Sequence, residues 1–142
     1  MWAAGIRPSD LNELRAKEPD ADFLIHPECG CTTQVMEYVA SGDVAAEGTY
    51  FLSTEGMMRH AAASERDTII VATETGIIPR MERESPEKRF LAANEAAVCR
   101  YMKMITLPKL RDSLRDRKYE VRVPPEVAER ARRPIERMVS IG

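Results

Sequence analysis

Four short apolar runs, spaced along the chain and separated by helical stretches, constrain its fold most. They are "DFLIHP" at 22–27, "GTYFLS" at 48–53, "DTIIVATE" at 67–74 and "KRFLAAN" at 88–94. Each is short and bounded by polar or turn-forming residues, and the first three carry the β-branched or aromatic residues typical of strands, with "KRFLAAN" a further short candidate. Between them, "TTQVMEYVA" carries Val35, Met36 and Val39 on one helical face and stops at Ser41-Gly42. "TEGMMRHAAAS" reads as a second helix, and "PRMERESP" as a short helix or turn. Strands joined through helices pair in parallel, and a parallel sheet needs helices on both faces. The spacing therefore predicts the α/β class: a three-layer αβα domain with a short parallel sheet. Pro27 cannot donate to a ladder, so it ends the first strand.

Upstream, Ser9 or Asp10 is expected to cap a short helix carrying Leu11 and Leu14, ended by Pro19-Asp20. Downstream, "TLPKLRDSLRDR" and "PPEVAERARRPIERMVSI" read as helices. In the second, Val127, Ala131, Ile135 and Met138 form an apolar stripe, and Pro134 is expected to kink it. No repeat, low-complexity segment or linker divides the 142 residues, so one domain over 1–142 is expected.

Charge adds exclusions. The formal net charge is −2, and the basic residues near Arg130–Arg133 are offset by neighbouring glutamates. That balance gives no footprint for nucleic acid or a membrane surface. No apolar run reaches the length of a membrane span, and "MWAAGIRPSD" has neither part of a signal peptide. A cytoplasmic chain is expected, with three cysteines kept as thiols or ligands.

In parallel sheets, ligands bind beyond the carboxyl ends of the strands. Those ends carry His26-Pro27-Glu28, Ser53-Thr54 and Thr73-Glu74, which should therefore gather along one rim. His26 can act as base, hydrogen-bond donor or metal ligand, or simply satisfy backbone groups at a strand end. Glu28 can share proton transfer with it, or serve as a carboxylate at a helix N-terminus. Ser53 and Thr54 can cap the next helix and, together with its free N–H groups, hold an anion. Cys99 precedes "MKMITL" in a loop expected to enter a helix, where a thiolate would be favoured; a small buried hydrophobe is the alternative. Cys29 and Cys31 have a C-x-C spacing, weaker than C-x-x-C, and zinc would need ligands assembled from His26, Cys29, Cys31, His60 and Cys99. Met57, Met58, Met102 and Met104 are expected in the core, His60 in a structural role, and the Arg80–Arg89 run on a solvated face.

The ordered segments "DADFLIHPECGC", "LSTEGMMRHA", "IIVATETGIIPRM", "PEKRFLAANEAAVCRYMKMITLPKL" and "PIERMVSIG" resemble the C-terminal third of quinolinate synthase. The resemblance covers nearly everything from Asp20 to Gly142. It implies the third of three similar αβα domains around a central site that holds a [4Fe–4S] cluster by one cysteine per domain. It implies condensation of iminoaspartate with dihydroxyacetone phosphate to quinolinate, for NAD biosynthesis, with the cluster acting as a Lewis acid. Residue by residue, Cys99 matches the third domain's cluster ligand. His26, Pro27 and Glu28 match the substrate-contacting HPE triplet, and Ser53 and Thr54 the hydroxyls of a G-S-T triplet whose glycine is here Leu52. Cys29 and Cys31 match nothing functional.

The other two cluster cysteines are expected in domains that this chain lacks. A truncated product, a fragment or one piece of a split enzyme is thus expected, with a complementing N-terminal chain as possible partner and L-aspartate oxidase as pathway supplier. Two other readings stay open: a non-catalytic remnant that binds anions or a partner domain, and a small zinc module using Cys29, Cys31 and Cys99.

Overall fold

The computed structural model describes residues 5–29, 32 and 35–141. They fall into two compact units, Met1–Arg100 and Tyr101–Gly142. The first contains α1 (Pro8–Lys17), β1 (Asp22–Ile25), α2 (Val35–Ser41), β2 (Thr49–Phe51), α3 (Thr54–Ala63), β3 (Thr68–Ala72), α4 (Ile78–Glu84) and β4 (Arg89–Ala92). The strands form one sheet in the order β2-β1-β3-β4, with every pairing parallel.

Alternation along each strand divides the core into two layers. Phe23, Ile25, Ile70 and Ala72 point to one face, where they meet Leu11, Val35 and Val44. Leu24, Ile69, Val71 and Phe90 point to the other, against Met57, Met58, Ala61 and Met81. All four β1 residues are buried, as a central strand covered on both faces requires. Each large apolar side chain fully buried here contributes about 1.5–3 kcal/mol. The αβα layering read from the sequence is present.

Several local expectations change. The first helix begins at Pro8, with Arg7 before it, rather than behind a Ser9 or Asp10 cap. Proline suits the first helical position because its missing N–H has no intrahelical acceptor there. Asp10 instead reaches back to accept the Arg7 backbone N–H at 2.9 Å. In α2, Val35 is buried and Val39 partly so, whereas Met36 is 50 % exposed.

Arg15 joins α1 to the start of β2. It donates to the Glu47 carbonyl at 3.0 Å and to Thr49 Oγ1 at 2.7 Å, and its guanidinium lies 4.0 Å from the centre of the Phe23 ring. Burial pulls its pKa below the ordinary arginine value, and Glu47 partly opposes that shift. Gly48 between them has φ +66°, a left-handed conformation that favours glycine.

At the amino end of β1, buried Asp22 accepts from Ser64 Oγ at 2.6 Å and pairs with His60 Nε2 at 2.8 Å. Tyr50 lies with its ring centre 4.1 Å from that of His60. His60 therefore has the structural role expected of it, on α3 and away from the strands' carboxyl ends.

The second unit contains a 3₁₀ turn (Met102–Met104), α5 (Leu107–Asp116) and α6 (Pro125–Val139). Thr106 caps α5, and Arg117 in a left-handed conformation follows it. Helix α6 continues through Pro134, although that residue cannot donate to the Arg130 carbonyl. Its apolar stripe is exposed: Val127 by 47 %, Ile135 by 55 % and Met138 by 66 %. Met102 and Met104 are exposed too, contrary to their expected place in a core, whereas Met57 and Met58 are buried. No helix among the described residues is long and apolar enough to cross a membrane.

Candidate functional site

Sheet register sets the geometry. Ile25, the last residue of β1, lies opposite Phe51 on β2 and Ala72 on β3. The ladder continues one step further: Leu52 N–H donates to the Ile25 carbonyl at 3.0 Å, and His26 N–H to the Ala72 carbonyl at 3.3 Å. The residues that leave these strands, His26-Pro27-Glu28, Ser53-Thr54 and Thr73-Glu74, therefore emerge along one rim, as the βα alternation predicts.

The HPE segment is a tight turn. Cys29 N–H donates to the His26 carbonyl at 3.3 Å, closing a four-residue turn with Pro27 and Glu28 at its centre. Glu28 is exposed there, ahead of α2 rather than within its first turn. The His26 ring is half-buried, and its Nδ1 is shielded from water without a hydrogen-bond partner among the described residues. Its backbone completes the ladder while its ring does not, so the bland role of satisfying strand-end groups falls to the main chain. A buried ring nitrogen of this kind needs a partner.

Ser53 is the N-cap of α3, its Oγ accepting from Gly56 N–H at 3.2 Å. A hydroxyl that accepts can still donate, and the Thr54 and Glu55 N–H groups have no acceptor within the helix. Cap and anion site are therefore compatible. Leu52 is not in a left-handed conformation, so its side chain costs no backbone strain. Instead it packs partly buried against the Met57 layer.

On the β3 side, buried Glu74 accepts from Gly76 N–H at 2.9 Å. Thr75 N–H donates to the Ala97 carbonyl at 3.0 Å, which ties the loop carrying Cys99 to this rim. Cys99 follows two residues later, half-buried in that loop. The next regular element along the chain is the three-residue 3₁₀ turn Met102–Met104, and α5 begins only at Leu107, so Cys99 does not directly enter a helix.

Cys29 is a half-buried thiol in the HPE turn, and Cys31 lies outside the described residues. Among the described residues no three His, Cys, Asp or Glu side chains form a group able to hold a metal ion. A cubane cluster needs three or four protein thiolates. The donors among the described residues do not complete such a set, so no chemical step is derived through a cluster.

One residue escaped the sequence reading. Thr32, taken as the opening of a helix, is buried and donates its hydroxyl to the His26 carbonyl at 2.5 Å. A threonine six residues beyond His26 carries no signal of that contact in the sequence.

Together these features define an α/β domain whose parallel sheet gathers an imidazole, a carboxylate and helix-capping hydroxyls along the rim at its carboxyl ends. Residues 3–140 match the family model described as Quinolinate synthetase A protein, and the chain belongs to that family. It is 47 % identical over 139 residues to a quinolinate synthase of Thermus thermophilus, covering 98 % of this chain and 43 % of that protein. The Pyrobaculum aerophilum quinolinate synthase is 47 % identical over 119 residues, 84 % of this chain and 38 % of that protein. A Mycobacterium tuberculosis quinolinate synthase is 40 % identical over 148 residues, covering this whole chain and 42 % of that protein. The chain thus spans less than half the length of these relatives.

Proposed function

We propose that this chain supplies one of three αβα domains of a quinolinate synthase, which condenses iminoaspartate with dihydroxyacetone phosphate in NAD biosynthesis. The observation that supports it is the convergence of the HPE turn with Ser53 and Thr54 on one rim, in a chain matching the family over 3–140. In this reading Cys99 is one ligand of a [4Fe–4S] cluster whose other ligands come from outside these residues. When bound, the cluster supplies a Lewis-acidic iron.

The chain's own groups divide the remaining work. Thr54, Ser53 and the first N–H groups of α3 hold a substrate carboxylate. The His26 ring donates to a carboxylate or carbonyl oxygen of the substrate, which gives its buried Nδ1 a use. Ionised Glu28 is a poor anion ligand, so it moves a proton during imine and enol chemistry or holds the iminium nitrogen. Pro27 fixes the backbone between these two side chains.

Combining this chain, anaerobically and with iron and sulfide, with the portion of the Thermus thermophilus relative that it does not match is expected to yield quinolinate from the two substrates. A complex that binds a cluster and forms no quinolinate would refute the reading. In the active combination, Glu28→Gln is expected to lower kcat by about 10²-fold or more, the usual scale of positioned acid–base catalysis, with KM little changed. A variant with normal kcat would reduce Glu28 to a surface charge in a turn.

A further inference from the structure

The rim has a component that neither the family match nor the site residues assign. We propose that Thr32 is the positioning residue of the HPE turn, holding Glu28 and the His26 ring in register for reaction through its buried hydroxyl. This rests on the reading that the rim binds substrate.

Thr32 is 1 % exposed, the only threonine among the buried residues described. Its Oγ1 lies 2.5 Å from the His26 carbonyl and 3.1 Å from that of Cys29. A hydroxyl has one proton, so the shorter contact marks the principal acceptor. The same residue's N–H donates to the Cys29 carbonyl at 2.9 Å, and its own carbonyl accepts from Val35 N–H at 2.9 Å. Thr32 therefore links three points: the carbonyl at the start of the turn, the carbonyl at its end, and the first residue of α2.

Glu28 itself is exposed, and no hydrogen bond of its side chain is among those described. Its placement comes from the backbone on either side. Upstream, His26 N–H anchors to the Ala72 carbonyl at 3.3 Å; downstream the anchor is Thr32. Without the hydroxyl, the His26 carbonyl keeps, among the described residues, the 3.3 Å bond from Cys29 N–H, and the turn can open at its carboxyl end. Displacement of a catalytic carboxylate by an ångström costs far more in rate than in binding. The threonine methyl fills buried space, so valine preserves shape while removing the donor, and serine preserves the donor while removing the methyl.

The test uses two measurements. In the combined enzyme, Thr32→Val is expected to lower kcat roughly tenfold, the scale of one lost hydrogen bond, with KM within about twofold of the parent. Thr32→Ser is expected to restore most of kcat. On the chain alone, amide exchange at Cys29 should quicken in Thr32→Val while that at Phe23 and Ile70 stays slow. A quickened Cys29 amide with unchanged kcat overturns the inference, because the turn has loosened without consequence. Equal loss of protection at Phe23 and Ile70, with no recovery in Thr32→Ser, also overturns it by showing a general structural role. If the parent combination makes no quinolinate, the functional reading falls on its own account. The link from Thr32 to the turn then stands or falls on the Cys29 amide.

Discussion

Cys99→Ser in the combined enzyme is expected to abolish the broad visible absorption of a [4Fe–4S] cluster, whereas Cys29→Ser should leave it intact. Both thiols are half-buried and neither is in a disulfide, so accessibility does not distinguish them. Their settings do. Cys99 sits two residues past Ala97, whose carbonyl holds Thr75, so its loop is anchored to the rim beside β3. Cys29 closes the HPE turn, with its N–H and carbonyl both engaged, beside residues assigned to substrate. Under the proposed assignment, Cys99→Ser removes a thiolate ligand of the cubane, and the loss of cluster should approach completeness. Iron and sulfide analysis with the absorption spectrum reads it directly. If Cys29→Ser bleached the protein and Cys99→Ser did not, the ligand assignment would be reversed.

Phe23→Ala is expected to be nearly as severe, on stability rather than chemistry. Phe23 is fully buried on the central strand, and one face of its ring carries the Arg15 guanidinium. Truncating a buried phenylalanine costs about 3–5 kcal/mol, out of a total that is typically about 5–15 kcal/mol. Arg15 then loses the ring beneath it while staying tied to Glu47 and Thr49, so the α1–β2 corner loosens as well. Chemical denaturation followed by circular dichroism should show a much lower midpoint, or a chain unfolded in buffer. Phe23→Leu, which keeps most of the apolar volume, should retain the fold. An alanine variant as stable as the parent would mean that β1 is not the centre of the core.

How much of this was legible in advance depends on the range of the interaction. Strand runs such as "DTIIVATE" announce themselves because alternation and β-branching are local, and parallel pairing follows from the intervening helices. The rim follows from the same alternation, which places His26, Ser53 and Thr54 together from the sequence alone. Contacts that depend on chain reversal could not. The Thr32 hydroxyl meets His26 only because Pro27 turns the chain, and Arg15 finds Thr49 across 34 positions. Methionine burial is equally non-local: Met57 packs from α3 against Leu24, Ile69 and Val71 of the sheet, whereas Met102 stands exposed in a short 3₁₀ turn.

The strand order has a consequence for how the chain acquires its structure. The central strand β1 pairs on one side with β2, about 26 positions later, and on the other with β3, about 47 positions later, as in Phe23↔Thr49 and Phe23↔Ile70. Parallel partners this distant must wait for loop closure, which slows folding relative to local hairpins. Until β3 docks, "DFLI" is an apolar strand with one edge unpaired, the kind of edge that captures other chains. During synthesis that interval lasts until residue 72 has cleared the ribosome, and chains halted between β2 and β3 should be markedly more prone to aggregate than those ending after β4.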